Sequence, residues 1–242
     1  MSKSFQESPS QLRCQPPLAR GPRNSCSLAP LAKGGGTAEG GGGIPNRGIP
    51  FYNEEYTISP SVFVPRFDTE RVVDRLIELL PLNGTFLDLC TGSGCIAIST
   101  LAARKDCTAD AVDIVDLDIA RINAEANGVS DRVNFIQADI KTFKADSYDI
   151  IVSNPPYIRS DVIPTLDLND PYIALDGGSD GMDFYRLILN RYKPKHYYIF
   201  EIGYDQAEQI KALCDCIRKN CGIYKDYGGN DRVAVITCSN FV

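Results

Sequence analysis

From residue 85 to residue 237, short apolar runs alternate with stretches whose apolar positions recur at helical spacing. Residues 85–90, 109–113, 133–137, 149–153 and 196–202 have the length and composition of buried strands. Residues 94–104, 117–126, 181–192 and 205–219 have the helical period. Strands and helices taken in turn predict an α/β fold, a doubly wound Rossmann-like sheet. Two closing runs, 222–227 and 232–237, are joined by the turn signal Gly228-Gly229-Asn230. They bring the sheet to seven strands, the last antiparallel. Upstream, residues 51–64 alternate apolar and polar positions on either side of Ser59-Pro60, which predicts a short β-hairpin before the sheet. Val72, Val73, Leu76, Ile77, Leu79 and Leu80 then describe one helix face. Asp68 or Thr69 is expected to cap that helix, and Pro81 and Gly84 to stop it.

Three segments follow from this pattern. Residues 1–47, with their glycine cluster and no apolar period, are expected to form a disordered Gly/Pro-rich leader, because they cannot bury enough surface to offset ordering. Residues 48–80 are the hairpin and helix, packing on the core, and residues 81–242 form the main domain. The connection from 158 to 180 is long and polar, as functional loops are.

Charge and composition narrow the class. The net charge of −6 divides into +4 over residues 1–47 and −10 over the rest. A body this acidic lacks the basic footprint of a nucleic-acid binder, so no direct nucleic-acid binding is expected. No stretch approaches the roughly 18 apolar residues of a membrane helix, so no membrane partner is expected. The nine cysteines follow no zinc-ligand spacing and read as reduced thiols in a cytoplasmic protein. Cys214 and Cys216 point in different directions from one helix. The single histidine, His196, reads as a surface or strand-end residue, and no metal site is expected.

The chemistry collects at strand ends. The first strand of the alternation runs into Cys90-Thr91-Gly92-Ser93-Gly94 and then a helix, where glycines allow a tight turn and close approach to a ligand. In a G-x-G-x-x-G comparison the third glycine position holds Ala97, which the dinucleotide fingerprint tolerates. Asp113 ends the second strand about 20 residues later, where a carboxylate accepts from ribose hydroxyls. Asp139 and Ile140 follow the third strand, placed to meet an adenine amino group and face, although a turn role for Asp139 is as well supported. The fourth strand ends in Asn154-Pro155-Pro156-Tyr157, and two consecutive prolines force the chain out of the sheet in a stiff, extended form.

Asp88-Leu89-Cys90-Thr91-Gly92-Ser93-Gly94 with a downstream Asn154-Pro155-Pro156-Tyr157 resembles the class I S-adenosylmethionine-dependent methyltransferases of planar nitrogens. Pro65-Arg66-Phe67-Asp68-Thr69-Glu70, the run from Ala174 to Tyr185, Glu201-Ile202-Gly203 and Asp231-Arg232-Val233 narrow the resemblance to the PrmC/HemK family. That family methylates the glutamine of a Gly-Gly-Gln motif in peptide chain release factors. The resemblance implies S-adenosyl-L-methionine as cofactor, held by residues 90–94, Asp113, Asp139, Ile140 and Asn154. It implies a release factor as protein substrate, bound at Asn154, Pro155, Pro156 and Tyr157. Asn154, Pro155 and Tyr157 would carry the chemistry, orienting an amide nitrogen by accepting its hydrogens rather than deprotonating it. Arg66 and Glu70 are expected either to pair beneath the site or to face the substrate. Cys90 stands where the family often has glycine. Members usually carry an N-terminal helical domain, for which residues 1–47 are too short and too rich in glycine and proline. Competing readings are an adenine N6-methyltransferase, a non-catalytic binding protein of the same fold and, least favoured, an NAD oxidoreductase.

Overall fold

The computed structural model describes residues 48–166 and 169–238. The expectation of a disordered leader over 1–47 therefore concerns residues outside those described. The chain opens with β1 (Ile49–Phe51) and β2 (Glu54–Tyr56), then α1 (Glu70–Leu79). The main sheet follows as β3 (Thr85–Leu89), α2 (Cys95–Ala103), β4 (Thr108–Asp113), α3 (Asp118–Ala126), β5 (Val133–Gln137) and β6 (Ile150–Ser153). It closes with α4 (Asp183–Arg191), β7 (Tyr197–Glu201), α5 (Ala207–Cys216), β8 (Cys221–Lys225) and β9 (Asp231–Thr237).

Sheet order is β5-β4-β3-β6-β7-β9-β8, with β9 antiparallel to both neighbours and the other pairings parallel. The doubly wound seven-stranded sheet with an antiparallel last strand is thus the observed architecture. Its strands read as apolar runs because both faces are covered. Phe86, Ile150, Val152 and Ile199 face one layer of core, with the hairpin, α1 and α2. Leu87, Leu89, Ile151, Tyr198 and Phe200 face the other, with α4 and α5. Each such side chain contributes about 1.5–3 kcal/mol through burial. Helix α2 is buried from Cys95 through Leu101, so it carries no polar face. The hairpin covers its outer side: Tyr56 Oη bonds Ser99 Oγ at 2.7 Å, and Ser99 Oγ donates to Glu54 Oε2 at 2.9 Å.

Three expectations need correction. The hairpin does not turn at Ser59-Pro60; it turns at Tyr52-Asn53, pairing Phe51 with Glu54, and Tyr52 takes φ 58°. A tyrosine in left-handed backbone has no propensity signature, so nothing in the local sequence marks this turn. Thr69 stands at the N-cap of α1 but its side chain makes no capping bond, and Asp68 lies within the 3-10 turn, Phe67–Thr69, that leads into the helix. Asp68 is instead drawn to Arg232 at 3.4 Å, and Thr69 is buried. Arg66 ion-pairs with Asp170, whereas Glu70 accepts from the Tyr52 N–H at 2.8 Å.

His196 lies just before the amino end of β7, half exposed beside Asp149. The seven described cysteines are free thiols, Cys214 buried and Cys216 exposed. Among the described residues no helix is long and apolar enough to cross a membrane.

Candidate active site

Strands β3 and β6 are neighbours whose onward connections run to opposite sides of the sheet, the switch point at which open α/β sheets bind ligands. A cavity of about 440 Å³ opens there, along the carboxyl ends of β3, β4, β5 and β6. That volume lies in the range of sites for nucleoside-sized molecules. Of the cofactor and substrate residues that the resemblance implies, all but Gly94 line it: Cys90 to Ser93, Asp113, Asp139, Ile140 and the stretch Asn154 to Tyr157. Gly94 acts from behind. Its φ is 80°, and a Cβ there would lie 2.8 Å from Ile98 Cδ1 and 3.3 Å from Ala120 Cβ, so glycine lets α2 and α3 close up. Gly92, at φ 53°, is the reverse case: a Cβ would meet nothing within 4 Å, leaving the loop open toward the cavity.

The loop is held from below. The Gly92 N–H donates to Asp113 Oδ2 at 2.8 Å, while Ile114 and Val115 N–H groups reach Oδ1 at 2.7 and 3.3 Å. Burial raises the Asp113 pKa, and these three donors oppose that rise. A carboxylate has about four lone-pair directions, so one remains for a ligand hydroxyl. Asp139 Oδ1 accepts from the Lys141 N–H at 2.8 Å, the turn role, while the residue still borders the cavity. Beneath the loop Asp88 is fully buried. The Thr91 hydroxyl donates to its Oδ2 at 2.6 Å, and burial pushes its pKa up to about 7 against the pull of Thr91 and the Ala97 N–H. Its signal in the sequence was a lone acid inside an apolar strand.

Cys90 occupies left-handed backbone at φ 62°. A side chain in that region costs roughly 1–2 kcal/mol, which glycine avoids. Cys90→Gly is therefore expected to be more stable than Cys90→Ala by about 1 kcal/mol, measured by urea unfolding. Equal stabilities of the two variants would show that the turn carries no such strain.

On the acceptor side the strand tip is braced from β7 and from the segment preceding α1. Asn154 Nδ2 points to Thr69 Oγ1 at 3.5 Å, and the Tyr157 hydroxyl donates to Glu201 Oε1 at 3.2 Å. Glu201 is 1% exposed; burial pushes its pKa up to about 7 against the pull of Thr69, Arg232 and Tyr157. Burial, with the negative charge of Glu201 beside it, raises the Tyr157 phenol as well. Arg232 lies behind this group, reaching Asp68, Asp226 and the Ile202 carbonyl. The rim joins two distant segments, because Asp170 accepts from the Val64 N–H and pairs with Arg66. The 158–180 connection contributes Ile173, Ala174 and Leu175 to the wall, an apolar contribution that its polar composition concealed. Thr69 was legible only as a cap, since its partners are 85 and 132 residues away in sequence.

Residues 64–166 match the methyltransferase small domain family. The chain is similar to the release factor glutamine methyltransferase of Clostridium acetobutylicum, 35% identical over 205 residues, 76% of this chain and 70% of that protein. It is also similar to that of Caulobacter vibrioides, 36% identical over 192 residues, 74% of this chain and 66% of that protein. The chain thus spans about two thirds of the length of these relatives. Among solved structures, the hMettl16 catalytic domain in complex with a MAT2A 3'UTR hairpin superposes with a TM-score of 0.61 at 14% identity, covering 75% of this chain and 74% of that one. At that identity the likeness is one of fold.

Proposed function

The chain belongs to the release factor glutamine methyltransferase family, and on that premise we propose that it methylates the side-chain amide nitrogen of the glutamine in the Gly-Gly-Gln motif of a peptide chain release factor, using S-adenosyl-L-methionine. One observation carries the reading. The glycine loop and the Asn-Pro-Pro-Tyr tip line the same cavity, so a cofactor on one and an amide on the other would meet.

The residues fit the cofactor. The loop is open at Gly92, Asp113 retains a lone-pair direction, and Ile140 gives an apolar surface. Bound S-adenosyl-L-methionine would supply an electrophilic methyl group on a sulfonium. Cys90, Thr91, Gly92, Ser93 and Gly94 would hold its methionine portion, Asp113 its ribose, and Asp139 with Ile140 its adenine. Asp113→Ala removes both the ribose acceptor and the anchor of the Gly92 N–H. Its affinity for S-adenosyl-L-methionine is expected to fall about tenfold or more by titration calorimetry, the scale of a hydrogen bond to a charged group. Affinity held within twofold would place ribose recognition elsewhere.

The acceptor residues work by orientation. An amide nitrogen is a weak nucleophile because its lone pair is delocalised into the carbonyl. No side chain here is basic enough to deprotonate it, so positioning must supply most of the effect. With Nδ2 of Asn154 turned toward Thr69, Oδ1 is the acceptor available to a substrate N–H, and the Pro155 carbonyl would take the second. Two fixed acceptors would aim the nitrogen and stabilise the positive charge that develops on it; the N–C bond would form as the methyl–sulfur bond breaks, and the methylated nitrogen, now strongly acidic, would release one hydrogen to water. Tyr157, anchored through its hydroxyl, offers a ring against the amide plane, and Pro156 stiffens the turn. Radiolabelled methyl transfer tests the reading: label should enter purified release factor and not duplex DNA. Label in DNA alone would favour the adenine N6 alternative.

A further inference from the structure

Gln206 lies outside every motif named above, yet its side chain is 5% exposed and bonded at both ends. It stands at the N-cap of α5, five residues beyond the tip of β7. Its Nε2 donates to the Tyr157 carbonyl at 3.0 Å and to the Gly181 carbonyl at 3.2 Å. Its Oε1 accepts from the Gly203 N–H at 2.9 Å and lies 3.3 Å from the Tyr185 hydroxyl, whose single hydrogen goes to the Glu201 carbonyl at 2.8 Å. Both N–H groups of the amide and one lone pair of its oxygen are used. This is costly to disturb, since any lost partner leaves a polar group buried and unpaired.

The two carbonyls are significant by position. Tyr157 ends the acceptor tip, and Gly181 ends the connection that leaves it and returns with Ile173, Ala174 and Leu175 on the cavity wall. One nitrogen therefore ties together both stems of that connection. The approach is tight enough to demand glycine: a Cβ on Gly181 would lie 2.4 Å from the Tyr157 oxygen and 2.6 Å from Nε2. The tip itself is short and stiff, with Pro155 and Pro156 between Asn154 and Tyr157. Its near end is fixed by β6 and its far end by Gln206.

We infer that Gln206 is a positioning residue for the acceptor amide, latching the Asn-Pro-Pro-Tyr tip and the returning connection to the end of β7. Its effect on transfer rests on the acceptor reading above; the latch itself does not. Gln206 touches neither the cavity nor a substrate position and acts through Tyr157.

Two variants of equal reach separate this role from general packing. Gln206→Glu keeps a carbonyl-type acceptor for Gly203 but turns an oxygen toward two carbonyls. Gln206→Met keeps the volume and removes every polar contact. Each is examined by steady-state methyl transfer to release factor, by titration with S-adenosyl-L-methionine and by amide hydrogen exchange without acceptor. For both, kcat should fall about tenfold with KM for release factor changed far less, since the loss is of orientation in the transition state. Cofactor affinity should stay within twofold, and exchange should quicken at 157–166 and 169–181 while α2 and α3 keep wild-type protection. Wild-type kcat in both variants overturns the inference. So do turnover, cofactor affinity and protection of the whole sheet failing together, which marks a merely structural residue. If the wild-type protein itself does not methylate release factor, the acceptor reading fails instead. Exchange then still decides the latch, with unchanged protection at 157–181 counting against it.

Discussion

Asn154→Ala should lower methyl transfer to release factor by roughly a hundredfold or more, the scale of losing one preorganised partner of a developing charge. Its affinity for S-adenosyl-L-methionine should change only a few-fold. The division follows from where the side chain lies. Asn154 borders the cavity at the end of β6, with Nδ2 toward Thr69, while the loop and Asp113 hold one another through the Gly92 N–H. Truncation removes one of the two acceptors for the substrate amide and leaves the cofactor side intact. Turnover in single-turnover assays and affinity by calorimetry measure the two separately. If both fell in the same proportion, Asn154 would be a cofactor residue and the orienting role would be lost.

Gly177→Ala should be the second severe variant, although residue 177 carries no chemistry. A Cβ there would lie 2.7 Å from Tyr157 Cα and 2.9 Å from the Pro156 carbonyl oxygen. Both are backbone atoms, so no rotamer relieves the overlap. The Gly177 N–H also donates to the Ile158 carbonyl at 2.8 Å, and Asp176 forms a bridge with Ile158, so the two strands of backbone cannot simply part. The tip must shift, and displacing a reacting group by about an ångström can cost on the order of a hundredfold in rate. Overpacking should cost about 1–3 kcal/mol of stability as well. Thermal unfolding with kcat/KM for release factor checks both. Wild-type turnover in a destabilised variant would mean that this close approach holds the fold and not the acceptor.

Much of the fold was legible because parallel strands covered on both faces are written as near-continuous apolar runs. The glycine loop, Asp113 and the proline tip could be assigned to one edge because each directly follows such a run. What was not legible depends on partners distant in sequence. Ser59-Pro60 looks like a turn, whereas the real turn at Tyr52 needs a left-handed tyrosine whose N–H is met by Glu70. Thr69 looks like a cap, and only the approach of β6 and β7 turns it toward Asn154 and Glu201. Cys90 looked like a small residue in a tight turn, but its positive φ makes it a strained stand-in for glycine. Gln206 sits in an ordinary amphipathic helix pattern, and nothing local marks it as the meeting point of three segments.

The central claim is that the cavity brings a methyl donor to the amide of a glutamine. Its most direct test is mass spectrometry of release factor incubated with the protein and S-adenosyl-L-methionine. The account predicts a single added methyl group, fragmenting to the side chain of the glutamine in Gly-Gly-Gln, and none when that glutamine is replaced by alanine. A methyl group found on any other residue, or retained in the alanine variant, would contradict it.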